Sequence, residues 1–242
     1  MTKVLLVGAG HMGQALLRSW KNSNIEDITV IDPIIGKNSN KIFNSKLYTS
    51  PEKIKNINNF DVIFFAVKPQ VINKVIKDYK TLSLKNQLII SIIAGKEIKF
   101  FEKNFNKKTS IIRTMPNLPA SVARGTTCLF SNNNVSLKQK KFANKLFIAV
   151  GKTFWVNNEN YINKFTAMSG SGPAYFYFFI ECLCKAGIKI GLNQSEAYEI
   201  AKETAFGSMK LLELSKDNAE KLRKNIAIKG GTTEAAINAF KR

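Results

Sequence analysis

The chain has a single histidine, His11, among 242 residues. A Ser-His-Asp triad or a multi-histidine metal site is therefore close to excluded. His11 lies in a glycine-rich turn and reads as a loop residue, not a catalytic acid; no metal ligand is expected. There are three cysteines, Cys128, Cys182 and Cys184, too few for a disulfide framework. Their apolar surroundings fit a reducing cytosol, and Cys182-x-Cys184 is a poor metal pair without further ligands. No apolar run is long enough to span a bilayer. The N-terminus runs straight into a strand, so no signal peptide is expected and the protein reads as cytoplasmic. Acidic residues are scarce, 17 against 37 basic, which leaves a net charge of +20. That balance raises nucleic acid or anionic membrane as partners. The cations are almost all lysine, however, and asparagine and isoleucine are abundant too. All three use A/T-rich codons, so genome bias explains much of the excess. Lys99, Lys103, Lys107, Lys108, Lys138, Lys140, Lys141 and Lys145 are scattered over solvated faces. Neither nucleic acid nor membrane is expected as a partner. What remains is an attraction for anionic cofactors and substrates.

What is present begins at Lys3. Val4 to Val7 is a continuous apolar run, suited to a strand buried on both faces. Gly8, Gly10 and Gly13 follow in G-x-G-x-x-G spacing, and Gln14 to Trp20 has helical spacing of Ala15, Leu16 and Trp20. Strand, tight turn and helix start make a dinucleotide site. Gly8 makes the turn, Gly10 admits a pyrophosphate, and Gly13 packs helix on strand. The helix N–H groups would hold the phosphates, with Ala9, His11 and Met12 in the same turn. A second strand, Asp27 to Ile31, ends at Asp32. An acid there accepts hydrogen bonds from an adenosine ribose and repels a 2′-phosphate. The alternative is a turn-forming Asp before Pro33; the spacing favours the ribose role.

Residues 35 to 59 are polar with weak signals. Asp61 to Val67, Gln87 to Ile93 and Thr109 to Arg113 read as buried strands, and a helix is expected after Lys68-Pro69-Gln70 through Tyr79. Gly125 to Phe130 and Thr153 to Val156 read as short strands around a helix over Leu137 to Val150. This alternation is a doubly wound α/β pattern. Ligands bind at the carboxyl ends of such strands, so residues 66 to 70 should border the cofactor. Lys68 is either a phosphate or substrate contact or a solvated loop lysine. Asn117 sits between Pro116 and Pro119 at another strand end.

Asn157-Asn158-Glu159-Asn160 is a polar break, beyond which strand signals vanish. The division expected is a Rossmann domain over 1–157 and a helical domain over 158–242. Ser169-Gly170-Ser171-Gly172-Pro173 opens a long helix with proline near its first turn. Tyr175, Phe176, Phe178 and Phe179 make that helix apolar on nearly every side, so it belongs in a core or a subunit interface. Asn193-Gln194-Ser195-Glu196 is a capping box, and the small residues of the next helix allow close approach. Lys229-Gly230-Gly231-Thr232-Thr233 is a second glycine turn at a helix start. It is either a small anion site or a helix–helix turn with a threonine cap.

Five runs together resemble the pyrroline-5-carboxylate reductase family: Gly8-Ala9-Gly10-His11-Met12-Gly13, Ala66-Val67-Lys68-Pro69-Gln70, Arg113-Thr114-Met115-Pro116-Asn117, Thr166 to Tyr175, and Gly230-Gly231-Thr232-Thr233-Glu234. They cover the chain end to end in the family's order, and S-G-S-G-P-A-Y is highly specific. The resemblance implies an N-terminal Rossmann domain, an all-α C-terminal dimerisation domain, and a homodimer that can build a ring of dimers. It implies reduction of 1-pyrroline-5-carboxylate to L-proline by NADH or NADPH. It places Ala66 to Pro69, Ile92, Ile93, Ala94, Asn117 and Glu159 around the cofactor. Asn225, Gly231, Thr232 and Thr233 would hold the small-molecule substrate, with Thr233 the catalytic candidate.

Three departures stand out. Ile228-Lys229 replaces the family's usual Ser-Pro. Asp32 replaces a small polar residue and favours NADH. The chain ends about two helical turns past the glycine pair, so a C-terminal extension common in the family is expected to be missing. A related imine or β-hydroxyacid reductase would commonly use a catalytic lysine on the long helix, yet that helix offers none before Lys185. A non-catalytic dinucleotide sensor or basic nucleic-acid binder is the reading from a different class.

Overall fold

Val4–Val7 (β1), Ile28–Ile31 (β2), Val62–Phe65 (β4) and Leu88–Ser91 (β5) are four-residue strands with every residue buried. Strands covered on both faces must be almost wholly apolar, and these are. They appear in a computed structural model that describes residues 2–23, 25, 27–34, 45–80 and 87–241. Lys46–Tyr48 (β3), Ser110–Met115 (β6), Gly125–Ser131 (β7) and Gly151–Trp155 (β8) complete one sheet. Its order is β3-β2-β1-β4-β5-β6-β7-β8. β1 pairs with both β2 and β4 in parallel, so the strand order reverses at its carboxyl end. That crevice is where α/β sheets bind ligands.

Successive side chains on a strand face opposite sides, and this divides the core. Leu6 and Phe64 join Trp20 and Leu146 on one face; Leu5 and Phe65 join Tyr79 and Phe101 on the other. Each fully buried side chain of this size contributes about 1.5–3 kcal/mol. The helices covering the sheet are His11–Asn22 (α1), Ile72–Val75 (α2), Ile98–Asn104 (α3) and Leu137–Ile148 (α4). Trp20 is fully buried, and its indole N–H donates to Leu146 O at 2.8 Å, so its polar edge is satisfied.

Three local features depart from the expectations or go beyond them. β3 lies inside the weakly patterned 35–59 stretch, of which 35–44 fall outside the described residues. The helix expected through Tyr79 is one α turn followed by a 3₁₀ turn, Ile76–Tyr79. β7 runs antiparallel to β6, because only residues 116–124 connect them. A parallel return needs a crossover of about a dozen residues or more.

The chain forms two compact units, Met1–Pro173 and Ala174–Arg242. This division falls later than the polar break at 157–160. Asn160–Phe165 (α5) belongs with the first unit, where Ile162 is buried and Arg113 bonds Glu159 and Asn163. Gly172–Lys189 (α6) carries the chain into the second unit, followed by Gln194–Leu214 (α7), Ala219–Ile226 (α8) and Thr232–Phe240 (α9). The Asn193 capping box forms as the sequence predicts: Asn193 accepts from Glu196 N–H, and Glu196 accepts from Asn193 N–H. Phe179 and Phe240 meet as a tilted pair with ring centroids 5.9 Å apart, tying α6 to α9. Among the described residues no helix is long and apolar enough to cross a membrane.

Candidate active site

The glycine turn is built by steric necessity. Gly8 has φ +95°, and a Cβ there would meet Val67 Cγ1 at 2.7 Å and Ala66 C at 2.9 Å. A Cβ on Gly13 would lie 2.5 Å from Gly8 O, so only glycine lets α1 start this close to β1. Gly10, the N-cap of α1, meets nothing within 4 Å. No side chain caps α1, and its first turn holds no acid. The open cradle and the uncapped N–H groups fit a pyrophosphate. His11 is the first residue of α1 and is exposed; Met12 is half-buried.

Asp32 follows β2 and is buried, 8% exposed. Its Oδ2 accepts Ala9 N–H at 2.7 Å and its Oδ1 accepts Ile34 N–H at 2.8 Å. The second bond is the turn role weighed from the sequence. The first ties the end of β2 to the glycine turn, a contact the sequence does not reveal.

Across the switch point lie the ends of β4, β5 and β6. Ala66, Val67 and Pro69 are half-buried and Lys68 is exposed. Ile93 is buried, Ile92 half-buried and Ala94 exposed, each beyond the end of β5. Thr114 Oγ1 donates to Ser91 O at 3.1 Å, and Ser91 Oγ accepts Ile93 N–H at 3.2 Å. The first bond ties the β6 end to the β5 end, and the second shapes the turn that leaves β5.

Two residues assigned to the cofactor are engaged inside the protein. Asn117, 8% exposed, bonds Thr126 and Ser169. Glu159 Oε1 accepts from Arg113 at 3.0 Å and from Ile98 N–H at 2.8 Å, at the start of α3. Arg113 is nearly fully buried, and Asn163 takes its other guanidinium arm at 3.0 Å. An arginine inside the apolar strand S-I-I-R-T-M demands such a partner, so the sequence carries a signal for this pair that spacing alone does not identify.

In the second unit, Asn225 lies exposed in the last turn of α8. Gly231 is the N-cap of α9 and no side chain caps that helix, so the threonine-cap alternative is not what forms. Thr232 is exposed and Thr233 half-buried in the first turn. Gly230 N–H donates to Glu234 Oε2 at 2.8 Å.

A doubly wound sheet with an open glycine cradle at its switch point, continued by a helical unit, defines a dinucleotide-binding protein of Rossmann type. Residues 3–95 match the model described as NADP oxidoreductase, coenzyme F420-dependent, and residues 159–242 match pyrroline-5-carboxylate reductase dimerisation. The Haemophilus influenzae pyrroline-5-carboxylate reductase is 34% identical over 98% of this chain and 88% of its own. The Plasmodium falciparum pyrroline carboxylate reductase, solved with NADP bound, superposes with a TM-score of 0.86 at 31% identity, over 99% of this chain and 89% of that one. The Coxiella burnetii pyrroline-5-carboxylate reductase gives a TM-score of 0.88 at 31% identity, over 99% and 90%. The chain belongs to the pyrroline-5-carboxylate reductase family.

Proposed function

We propose that the chain reduces the cyclic imine of 1-pyrroline-5-carboxylate to L-proline, the last step of proline biosynthesis, with NADH or NADPH as the reductant. The observation that carries this reading is the end-to-end match to the family in a chain whose glycine cradle is sterically intact. When bound, the dinucleotide supplies hydride from its nicotinamide C4. A protonated C=N is already a strong electrophile, so the protein's task is orientation and electrostatics. Gly8 to Gly13 hold the pyrophosphate at the uncapped start of α1. Asp32 takes the adenosine ribose. Ala66 to Pro69 and Ile92 to Ala94 would line the nicotinamide half. Gly231, Thr232 and Thr233 seat the substrate carboxylate on N–H groups and hydroxyls, aided by Asn225 and by the charge of Lys229. Thr233 Oγ1 bonds the ring nitrogen or the carboxylate.

Asp32 sets the finer preference. Its buried carboxylate opposes a 2′-phosphate, so NADH is the favoured cofactor. The protein acts as a homodimer, joined through the segment that matches the dimerisation model, and dimers assemble further into a ring. The working compartment is the cytoplasm. A spectrophotometric assay with pyrroline-5-carboxylate, run in parallel with NADH and NADPH, tests the reading. Oxidation of NADH with the larger kcat/KM is expected. Failure with both cofactors refutes the reaction; a strong NADPH preference refutes the role given to Asp32.

A further inference from the structure

Asn117 stands directly beyond the carboxyl end of β6, where a direct cofactor ligand would be sought. Its amide is instead engaged within the protein. Oδ1 accepts Thr126 N–H at 2.8 Å. Nδ2 lies 3.1 Å from Ser169 O, 3.1 Å from Thr126 Oγ1 and 3.2 Å from Ser169 Oγ. The two hydroxyls close the triangle at 3.1 Å. An amide has two donor hydrogens, and both are spent on these neighbours.

The segment held in this way is irregular. Thr166–Gly170 is a π-helical turn, a form that recurs at functional sites. Its neighbours at the β6 end are few and specific. Met115 Cε would lie 3.3 Å from a Cβ on Gly170. Arg113 holds the preceding turn through Glu159 and Asn163. Alternate residues of one strand end, Arg113, Met115 and Asn117, therefore face the 159–170 segment. On the reading above, the nicotinamide half would lie along the ends of β4 and β5, and β6 is the strand paired with β5.

We propose that Asn117 is a positioning residue for hydride transfer: with Thr126 and Ser169 it clamps the 166–170 turn to the nicotinamide edge of the sheet and makes no bond to the cofactor. This rests on the functional reading above. A clamp of this kind governs how well the reacting atoms are aligned, to which rate is steeply sensitive. It leaves cofactor affinity to the glycine turn and Asp32.

The test compares Asn117→Ala, Asn117→Asp, Ser169→Ala and the Asn117→Ala/Ser169→Ala double variant in the full chain. Three quantities are read: kcat with pyrroline-5-carboxylate, NADH affinity by fluorescence titration, and hydrogen exchange of residues 166–172. Asn117→Ala should lower kcat by roughly tenfold or more, leave the NADH Kd within about twofold of the parent, and speed exchange of the turn. Asn117→Asp keeps an acceptor for Thr126 N–H but no amide donor for Ser169, and should lose most of the same kcat. The double variant should lose less than the product of the single losses, because the two residues act as one unit. A weakened NADH Kd with unchanged kcat makes Asn117 a cofactor ligand and overturns the proposal, as do unchanged exchange or independent effects of the two residues. If Asn117→Ala does not fold, Asn117→Asp and Ser169→Ala provide the same readouts. Absence of turnover by the parent chain refutes the reaction alone, and the exchange rates still decide the clamp.

Discussion

Asp32 carries one observed contact and one proposed role. Its Oδ2 holds Ala9 N–H at 2.7 Å, and on the proposed reading its charge would discriminate at the adenosine ribose. Asp32→Ser should therefore show two effects at once. The NADPH to NADH ratio of kcat/KM should rise, since the repelling charge is gone. Stability should fall by about 1–3 kcal/mol, since a buried N–H loses its acceptor. Parallel kinetics and a denaturant melt measure both; a cofactor switch at unchanged stability would remove Asp32 from the turn. Cys128 supports a different prediction. Burial pushes its thiol up to about 11 from an ordinary 9.0, with Arg113 opposing. The unfolded thiol ionises first, so between those two values the unfolded state binds fewer protons. Stability then falls as pH rises through that window and is fully present below it. Cys128→Ala should flatten this part of the stability–pH curve, as read from urea midpoints at successive pH values. An unchanged slope would assign the alkaline loss to other groups.

At the level of elements, what decides is how near two backbones come. A Cβ on Gly187 of α6 would lie 3.2 Å from Ala197 Cβ and 3.3 Å from Leu192 Cδ1. Ala197 and Ala201 are the buried residues of α7. Gly187→Val should therefore overpack this corner and destabilise the second unit by about 1–3 kcal/mol. A thermal melt tests this, and an unchanged midpoint would show that the helices part freely. The glycine turn and the close helix approach at Ala197 and Ala201 were legible in the sequence because both are local steric demands. Apolar four-residue runs likewise announced β1, β4 and β5. β3 did not announce itself, because three residues, Lys-Leu-Tyr, hold no period. Nor did the reversal of β7, which depends on the short reach of residues 116–124. The partners of Asn117 were illegible for another reason. Asn117 and Ser169 each sit in a motif, but 52 positions separate them, and no spacing rule relates two loops that only the folded sheet brings together.

For the whole molecule, the unsolved problem of a single chain is the surface of its second unit. Phe176 and Phe178 on α6 are 59% and 63% exposed, and Phe206 on α7 is 62% exposed. A lone soluble chain rarely leaves so many large aromatic side chains in water; such patches mark interaction sites. The sequence placed α6 in a core or a subunit interface, and burial within one chain does not account for it. The segment also matches the dimerisation model. In a two-fold dimer each substitution acts twice. Losing one Phe contact of about 1.5–3 kcal/mol per protomer, and burying a carboxylate in its place, should shift the association constant by several powers of ten. Phe178→Asp is thus expected to sediment as a monomer at micromolar concentration, while the parent sediments as a dimer or larger. The first unit should keep its fold, because its two core layers lie within Met1–Pro173. NADH titration should therefore still show binding in the monomer. A Phe178→Asp protein that remains dimeric would move the interface off this face of α6.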